Sequence, residues 1–127
     1  MSEIVVDTSI IIDHLRNVPK ATAIIEKIMD GSIIGYISVL TEAELFAGRD
    51  SGKSEERTLL IELLSVFNKI DVNESIARIA GDIRRKYGTS ISDAIIAATS
   101  LTVQSKLVTQ DIRDFERIKE ISAEKPY

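Results

Sequence analysis

The chain has 127 residues, a formal net charge of −4, 44% hydrophobic and 28% charged residues, and no cysteine. That size fits one ordinary domain spanning residues 1–127 with a core of its own, and the absence of cysteine excludes disulfides, thiolate nucleophiles and cysteine-bound zinc. The acidic balance excludes a protein that coats nucleic acid through a basic surface, although an acid cluster neutralised by divalent cations keeps a nucleic-acid substrate open.

No apolar run approaches the roughly 20 residues of a membrane span, and no basic segment precedes the first apolar stretch, so neither an anchor nor a secretory signal is expected and the cytoplasm is the natural compartment. Residues 4–6 (Ile-Val-Val) are a β-branched run that ends at Asp7-Thr8-Ser9, and residues 10–15 return to an apolar pattern of helical length, giving strand, cap, helix. Pro19 opens a second helix through residue 29, with Gly31 at its stop. Residues 33–38 read as the second strand. Ser38 or Thr41 then caps a helix that carries Glu42 and Glu44 and ends near Gly48, followed by a polar loop over residues 49–54. Leu59, Leu60, Leu63, Leu64 and Phe67 fall on one helical face, and residues 69–72 form a brief third strand. Ile76, Ile79, Ala80 and Ile83 mark an amphipathic helix with Arg84, Arg85 and Lys86 in its last turn, where they complement the dipole. Ser90 and Asp93 start a helix whose body, residues 94–101, is apolar nearly all round and should be buried. Residues 106–109 give the fourth strand, 114–117 a helical turn, and 118–122 a last edge strand.

Strands alternating with helices imply an α/β fold, with a mainly parallel sheet of four to five short strands and helices on both faces. Ligands of such sheets sit at the carboxyl ends of the strands. Asp7 and Asp111 each follow a strand and so reach that edge. Glu44 lies six residues after Ser38, about 9 Å along a helix, and can reach back to it. Asp93 starts the helix that leads into the fourth strand, so it begins at the same edge. Each acid also has a plain structural role open to it, because Asp and Glu favour helix N-termini, capping boxes and Asx turns. Four acids on one rim, however, repel one another without a cation. Hard oxygen donors with a single His suit Mg²⁺ or Mn²⁺ rather than zinc. Two such ions about 3.5–4 Å apart activate a water and stabilise the leaving oxygen of a phosphodiester, and one ion suffices for the first role.

The segments Asp7-Thr8-Ser9, Thr41-Glu42-Ala43-Glu44-Leu45, Ser92-Asp93-Ala94-Ile95-Ile96-Ala97-Ala98 and Val108-Thr109-Gln110-Asp111-Ile112-Arg113-Asp114-Phe115 resemble, in order and spacing, the PIN-domain nucleases, especially the VapC-type toxins of type II toxin–antitoxin pairs. The resemblance covers nearly the whole chain. It implies a PIN-like fold, Mg²⁺ or Mn²⁺ dependence with one or two ions, cleavage of single-stranded RNA, a homodimer, and inhibition by a small antitoxin protein. Position by position it makes Asp7, Glu44, Asp93 and Asp111 the catalytic and metal-binding quartet, with Thr8, Ser9 and Thr109 as hydrogen-bonding supports. Some relatives carry Asn at the position of Asp111 and an acid at that of Asp114, so Asp114 supplements or replaces the fourth ligand; Asp111, nearer the strand end, is preferred.

Glu42 sits roughly opposite Glu44 on its helix and is assigned to solvent, and Asp13, a turn and a half beyond Asp7, to the surface. His14 is alone, where acid–base cleavage needs an acid and a base. Arg49, Arg84, Arg85, Lys86, Arg113 and Arg117 are candidate guides for RNA phosphates, Arg113 foremost. The reading that gathers these features is a metal-dependent endoribonuclease toxin using a metal-activated water. Set beside it are a PIN nuclease of RNA processing, a catalytically silent binding module, and a phosphoacceptor receiver, which wants a second acid where Thr8-Ser9 stand.

Overall fold

The β-branched runs pair into one five-stranded sheet of order β3-β2-β1-β4-β5, in which every neighbouring pair is parallel. Its strands are β1 (Ser2–Val6), β2 (Ile33–Ser38), β3 (Asn68–Ile70), β4 (Lys106–Val108) and β5 (Ala123–Glu124). The computed structural model describes residues 2–127, the side chains of Ser2 and Arg49 excepted. Seven helices connect the strands: α1 (Thr8–Leu15), α2 (Pro19–Met29), α3 (Val39–Phe46), α4 (Ser54–Leu64), α5 (Glu74–Tyr87), α6 (Ile91–Val103) and α7 (Ile112–Phe115), with a 3₁₀ turn over Arg49–Gly52. Among the described residues no helix is long and apolar enough to cross a membrane.

Successive side chains of a strand point to opposite faces, and the sheet uses both. Ile4, Val6, Ile37 and Val108 join Ile10, Ile11, Ile25, Ile28, Leu45, Leu60 and Leu64 in one core under α1, α2, α3 and α4. Val5 and Leu107 join Ile76, Ile83, Ala94, Ala97 and Phe115 in a second core under α5, α6 and α7. Each fully buried Ile or Leu contributes about 1.5–3 kcal/mol through removal of apolar surface from water. Gly35 lets α2 approach the sheet: a Cβ there would stand 2.7 Å from Ile28 Cδ1 and 3.1 Å from both Ile28 Cγ2 and Phe67 Cδ1. Ser38, Asn73 and Ser90 cap α3, α5 and α6 by accepting backbone N–H groups. Gly88, at φ 70°, closes α5 with its N–H on the Arg84 carbonyl.

Several expected boundaries move. The last strand is Ala123–Glu124 rather than residues 118–122, which turn instead: Ile118 N–H bonds the Phe115 carbonyl and its side chain, 1% exposed, is committed to the second core. The third strand starts at Asn68 and ends at Ile70, earlier than the expected 69–72. The polar loop shortens because α4 already begins at Ser54. Leu59 is 59% exposed, since at 100° per residue the face set by Leu60 and Leu64 excludes it, and Phe67 reaches the same core from beyond the helix. Helix α7 starts at Ile112, two residues before the expected turn.

Candidate active site

All five strands end at one edge, and the chain leaves β1 for β2 on one side and later returns to β4 on the other. The crevice of a sheet so connected opens between the ends of β1 and β4. Asp7 follows β1 there, and its N–H bonds the Val108 carbonyl (3.0 Å), extending the pairing of Val6 with Val108 and bringing Asp7 beside Thr109.

Asp7 occupies the N-cap position of α1, yet its carboxylate caps nothing. Its Oδ2 accepts from Ser9 Oγ and from Thr109 Oγ1, each at 2.8 Å. The same two hydroxyls turn to the loop after β4: Ser9 Oγ accepts the Gln110 N–H (3.1 Å) and Thr109 Oγ1 the Asp111 N–H (3.0 Å). Two small side chains thus grip both a buried carboxylate and the backbone that carries the next acid. Asp111 repeats the pattern, standing at the N-cap of α7 with no side-chain cap bond.

Glu44 does not belong to a capping box, because Ser38 caps α3 and Thr41 is fully buried inside the helix. Its Oε1 instead accepts from Thr8 Oγ1 (2.7 Å), which also lies 3.0 Å from Thr41 Oγ1. Asp93 is the third residue of α6, where Ser90 already accepts its N–H (3.1 Å). Burial raises the Asp93 carboxyl above the ordinary 3.8, the Ser90 hydroxyl pulls the other way, and the charges of Asp114, Asp7 and Asp111 raise it further. Burial likewise raises Asp111, followed by the charges of Asp7, Asp114 and Asp13.

Asp7, Glu44, Asp93 and Asp111 line one cavity of about 380 Å³. Thr8 and Ser9 line it as well, while Thr109 lies behind Asp7 with no exposure. Asp114 faces an adjoining cavity of about 270 Å³ together with Arg113, and Asp111 belongs to both. The assignment of Asp13 to the surface needs correcting: it lines the acid cavity and accepts the Tyr127 hydroxyl (2.6 Å). Sequence reasoning also missed Arg16 and Ser92 on this wall. The signal for Asp13 and Arg16 was present, since Ser9, Ile12, Asp13 and Arg16 follow the i, i+3, i+4, i+7 spacing of one helical face. Glu42 is directed away, its Oε1 2.9 Å from Lys69 Nζ. His14 Nδ1 lies 2.8 Å from Thr22 Oγ1. The side chain of Arg49 lies outside the described residues.

The donor set is all oxygen: four carboxylates with hydroxyls behind them. Among the described residues no three acidic or His side chains stand close enough to share one ion. An all-oxygen donor set suits a hard divalent cation held by one or two carboxylates with waters completing its shell, rather than by a closed protein cage. Asp7 and Asp111, whose helix-cap positions leave the carboxylates unused by capping, are the acids most available for such a site.

The chain matches the family model described as PIN domain over residues 4–121. Ribonuclease VapC19 of Mycobacterium tuberculosis is 33% identical over 115 residues, covering 87% of this chain and 90% of its own length. Among solved structures, a toxin–antitoxin complex from Klebsiella pneumoniae is similar with a TM-score of 0.83 at 28% identity, over 98% of both chains. VapBC2 from Rickettsia felis, bound to a DNA fragment from its promoter, has the same fold at a TM-score of 0.81 and 22% identity, over 96% of this chain and 97% of that one.

Proposed function

Because the chain belongs to the PIN-domain family, with VapC-type relatives, we propose that it is a divalent-metal-dependent endoribonuclease that cleaves single-stranded RNA and serves as the toxin of a toxin–antitoxin pair. The observation that carries this reading is the position of Asp7 and Asp111: both stand where a carboxylate would cap a helix, neither caps, and both line one cavity with Glu44 and Asp93. The ribonuclease name of the 33% identical relative supports the reaction, and the toxin–antitoxin complex at 28% identity supports a small antitoxin as partner. A homodimer acting in the cytoplasm belongs to the same proposal.

In this reading Asp7, Glu44, Asp93 and Asp111 would hold one or two Mg²⁺ or Mn²⁺ ions at the crevice, directly or through water. Such an ion would supply an activated water and charge neutralisation at the departing oxygen. The chain's own residues do the positioning. Ser9 and Thr109 fix Asp7 through Oδ2, Thr8 fixes Glu44 through Oε1, and Asp114 adds negative charge beside Asp111 and Asp93. Arg113, on the adjoining wall, is a candidate contact for substrate phosphate.

The test is cleavage of a mixed single-stranded RNA pool by the purified protein in MgCl₂ or MnCl₂, with EDTA and Asp93→Asn as controls. Cutting that is lost in both controls is expected. Cutting that persists in EDTA refutes the metal mechanism, and an Asp93→Asn protein of full activity removes that residue from the site. Growth arrest on expression, relieved by Asp93→Asn, is the corresponding test of the toxin role.

A further inference from the structure

Basic side chains that line two other cavities of the molecule are paired within the chain. Arg85 pairs with Asp82 (3.0 Å), Lys86 with Glu120 (3.2 Å) and Lys106 with Glu124 (3.0 Å). Arg84 is likewise engaged, donating to the Thr89 carbonyl (2.8 Å). Three others differ. Arg16, at the end of α1, lines the acid cavity, whereas Arg113 on α7 and Lys125 beyond β5 line the adjoining one, and the two cavities share Gln110 and Asp111. Among the described residues none of these three has a carboxylate within 4.0 Å, although Arg16 shares its cavity with five.

A polyanionic strand cannot settle across a rim of carboxylates by shape alone, because each phosphate beside the metal-binding acids is repelled by them. It needs cations of the protein flanking the acids, free of internal partners and accessible. Arg16 and Lys125 meet both conditions, one in each of the two cavities that share Asp111. Arg16 offers a fork suited to a phosphate, and Lys125 a mobile point charge.

We propose that Arg16 and Lys125 hold the phosphates on the two sides of the scissile bond of a single-stranded RNA, Arg16 in the acid-lined cavity and Lys125, with Arg113, in the adjoining one. The proposal rests on the ribonuclease reading above. It fixes the path of the strand: along the carboxyl edge of the sheet, from the end of α1 past Asp111 toward the segment after β5.

The experiment measures binding of a fluorescein-labelled single-stranded 12-mer RNA of random sequence by the Asp93→Asn protein in MgCl₂ from low to moderate NaCl. Arg16→Gln and Lys125→Gln are then introduced singly and together. Each is expected to weaken binding about tenfold at low salt, the loss of one charge-assisted hydrogen bond. Each should also make the log–log salt dependence shallower by about 0.7, the value for one phosphate contact to a single strand. Lys27→Gln serves as the control, because Lys27 is in the last turn of α2, which returns the chain to the amino edge of the sheet. In the protein with Asp93 intact, both changes raise KM more than they lower kcat. Slopes unmoved by Arg16→Gln and Lys125→Gln, or moved equally by Lys27→Gln, overturn the proposal, and a slope moved by only one of the two overturns the two-sided path. Unmodified protein assayed on the same RNA separates the levels: cutting with unchanged slopes refutes this inference alone, whereas neither binding nor cutting of single-stranded RNA refutes the ribonuclease reading beneath it.

Discussion

Thr109 is fully buried and holds two partners at once, so replacing it by valine, nearly the same shape, isolates its hydroxyl. In Thr109→Val the Asp7 carboxylate loses one of the two donors on Oδ2 and the Asp111 N–H loses its acceptor. A hydrogen bond to a charged group is worth about 1.5–3 kcal/mol net. Water can re-solvate the Asp111 N–H, because that residue is exposed, so the second loss adds little and the sum stays at about 2–4 kcal/mol. For a chain of this length each kcal/mol corresponds to roughly 3–5 °C, so the melting temperature at neutral pH should fall by about 6–20 °C. Thermal unfolding followed by circular dichroism reads this directly, with Thr109→Ser, which keeps the hydroxyl, as the conservative control. Ser9→Ala removes the other donor to the same oxygen, so the double variant should depart from additivity by about 0.5–3 kcal/mol. A Thr109→Val protein that melts within about 2 °C of the parent refutes the claim that this hydroxyl network holds the site together.

Asp93 and Asp111 have folded-state carboxyls raised above 3.8, so between the unfolded and folded values the native state binds more protons. Their contribution to stability is therefore complete below about pH 4 and is lost as pH climbs through the raised values. Metal-free protein should accordingly show higher melting temperatures for Asp93→Asn and Asp111→Asn than for the parent at neutral pH, with the differences closing in acid; equal melting at neutral pH contradicts the mutual repulsion. Adding MgCl₂ to a hundredfold excess over its dissociation constant should stabilise the parent by about 2.7 kcal/mol, with the gain absent in Asp7→Asn; a melting temperature indifferent to Mg²⁺ and Mn²⁺ contradicts the site. Gly35→Ala should cost about 1–3 kcal/mol, because its Cβ meets Ile28 at 2.7 Å, and denaturant unfolding that shows no loss contradicts the close approach of α2.

The alternation of β-branched runs with amphipathic stretches made the α/β class legible, and strand-end acids made the carboxyl edge the place to look. What the sequence concealed was set by tertiary packing. Ile118 looks like the start of a strand but is drawn under α5 and α6, leaving only Ala123 and Glu124 to pair with β4. Leu59 looks like core until the pairing of Leu60 with Leu64 fixes which face of α4 turns inward. Among the cavity's acids, Asp7, Asp93 and Asp111 could be named because they stand at or near element ends, and Glu44 because its helix starts at the same edge, whereas Arg16 and Asp13 enter only through the rotation of α1 about its axis. Lys125 was not legible, since no periodicity marks the irregular segment after β5.

Leu45 ties the helix of Glu44 to one core and Ala94 ties the helix of Asp93 to the other, with Asp7 just past the end of β1 between them. The carboxylates are thus contributed from both faces of the sheet, and the cavity lies where the two layers meet. Local opening of either layer would separate the acids, because cooperative units open with free energies of their own. On the proposed nuclease reading, the layer that opens first would set the thermal limit of activity, ahead of global unfolding.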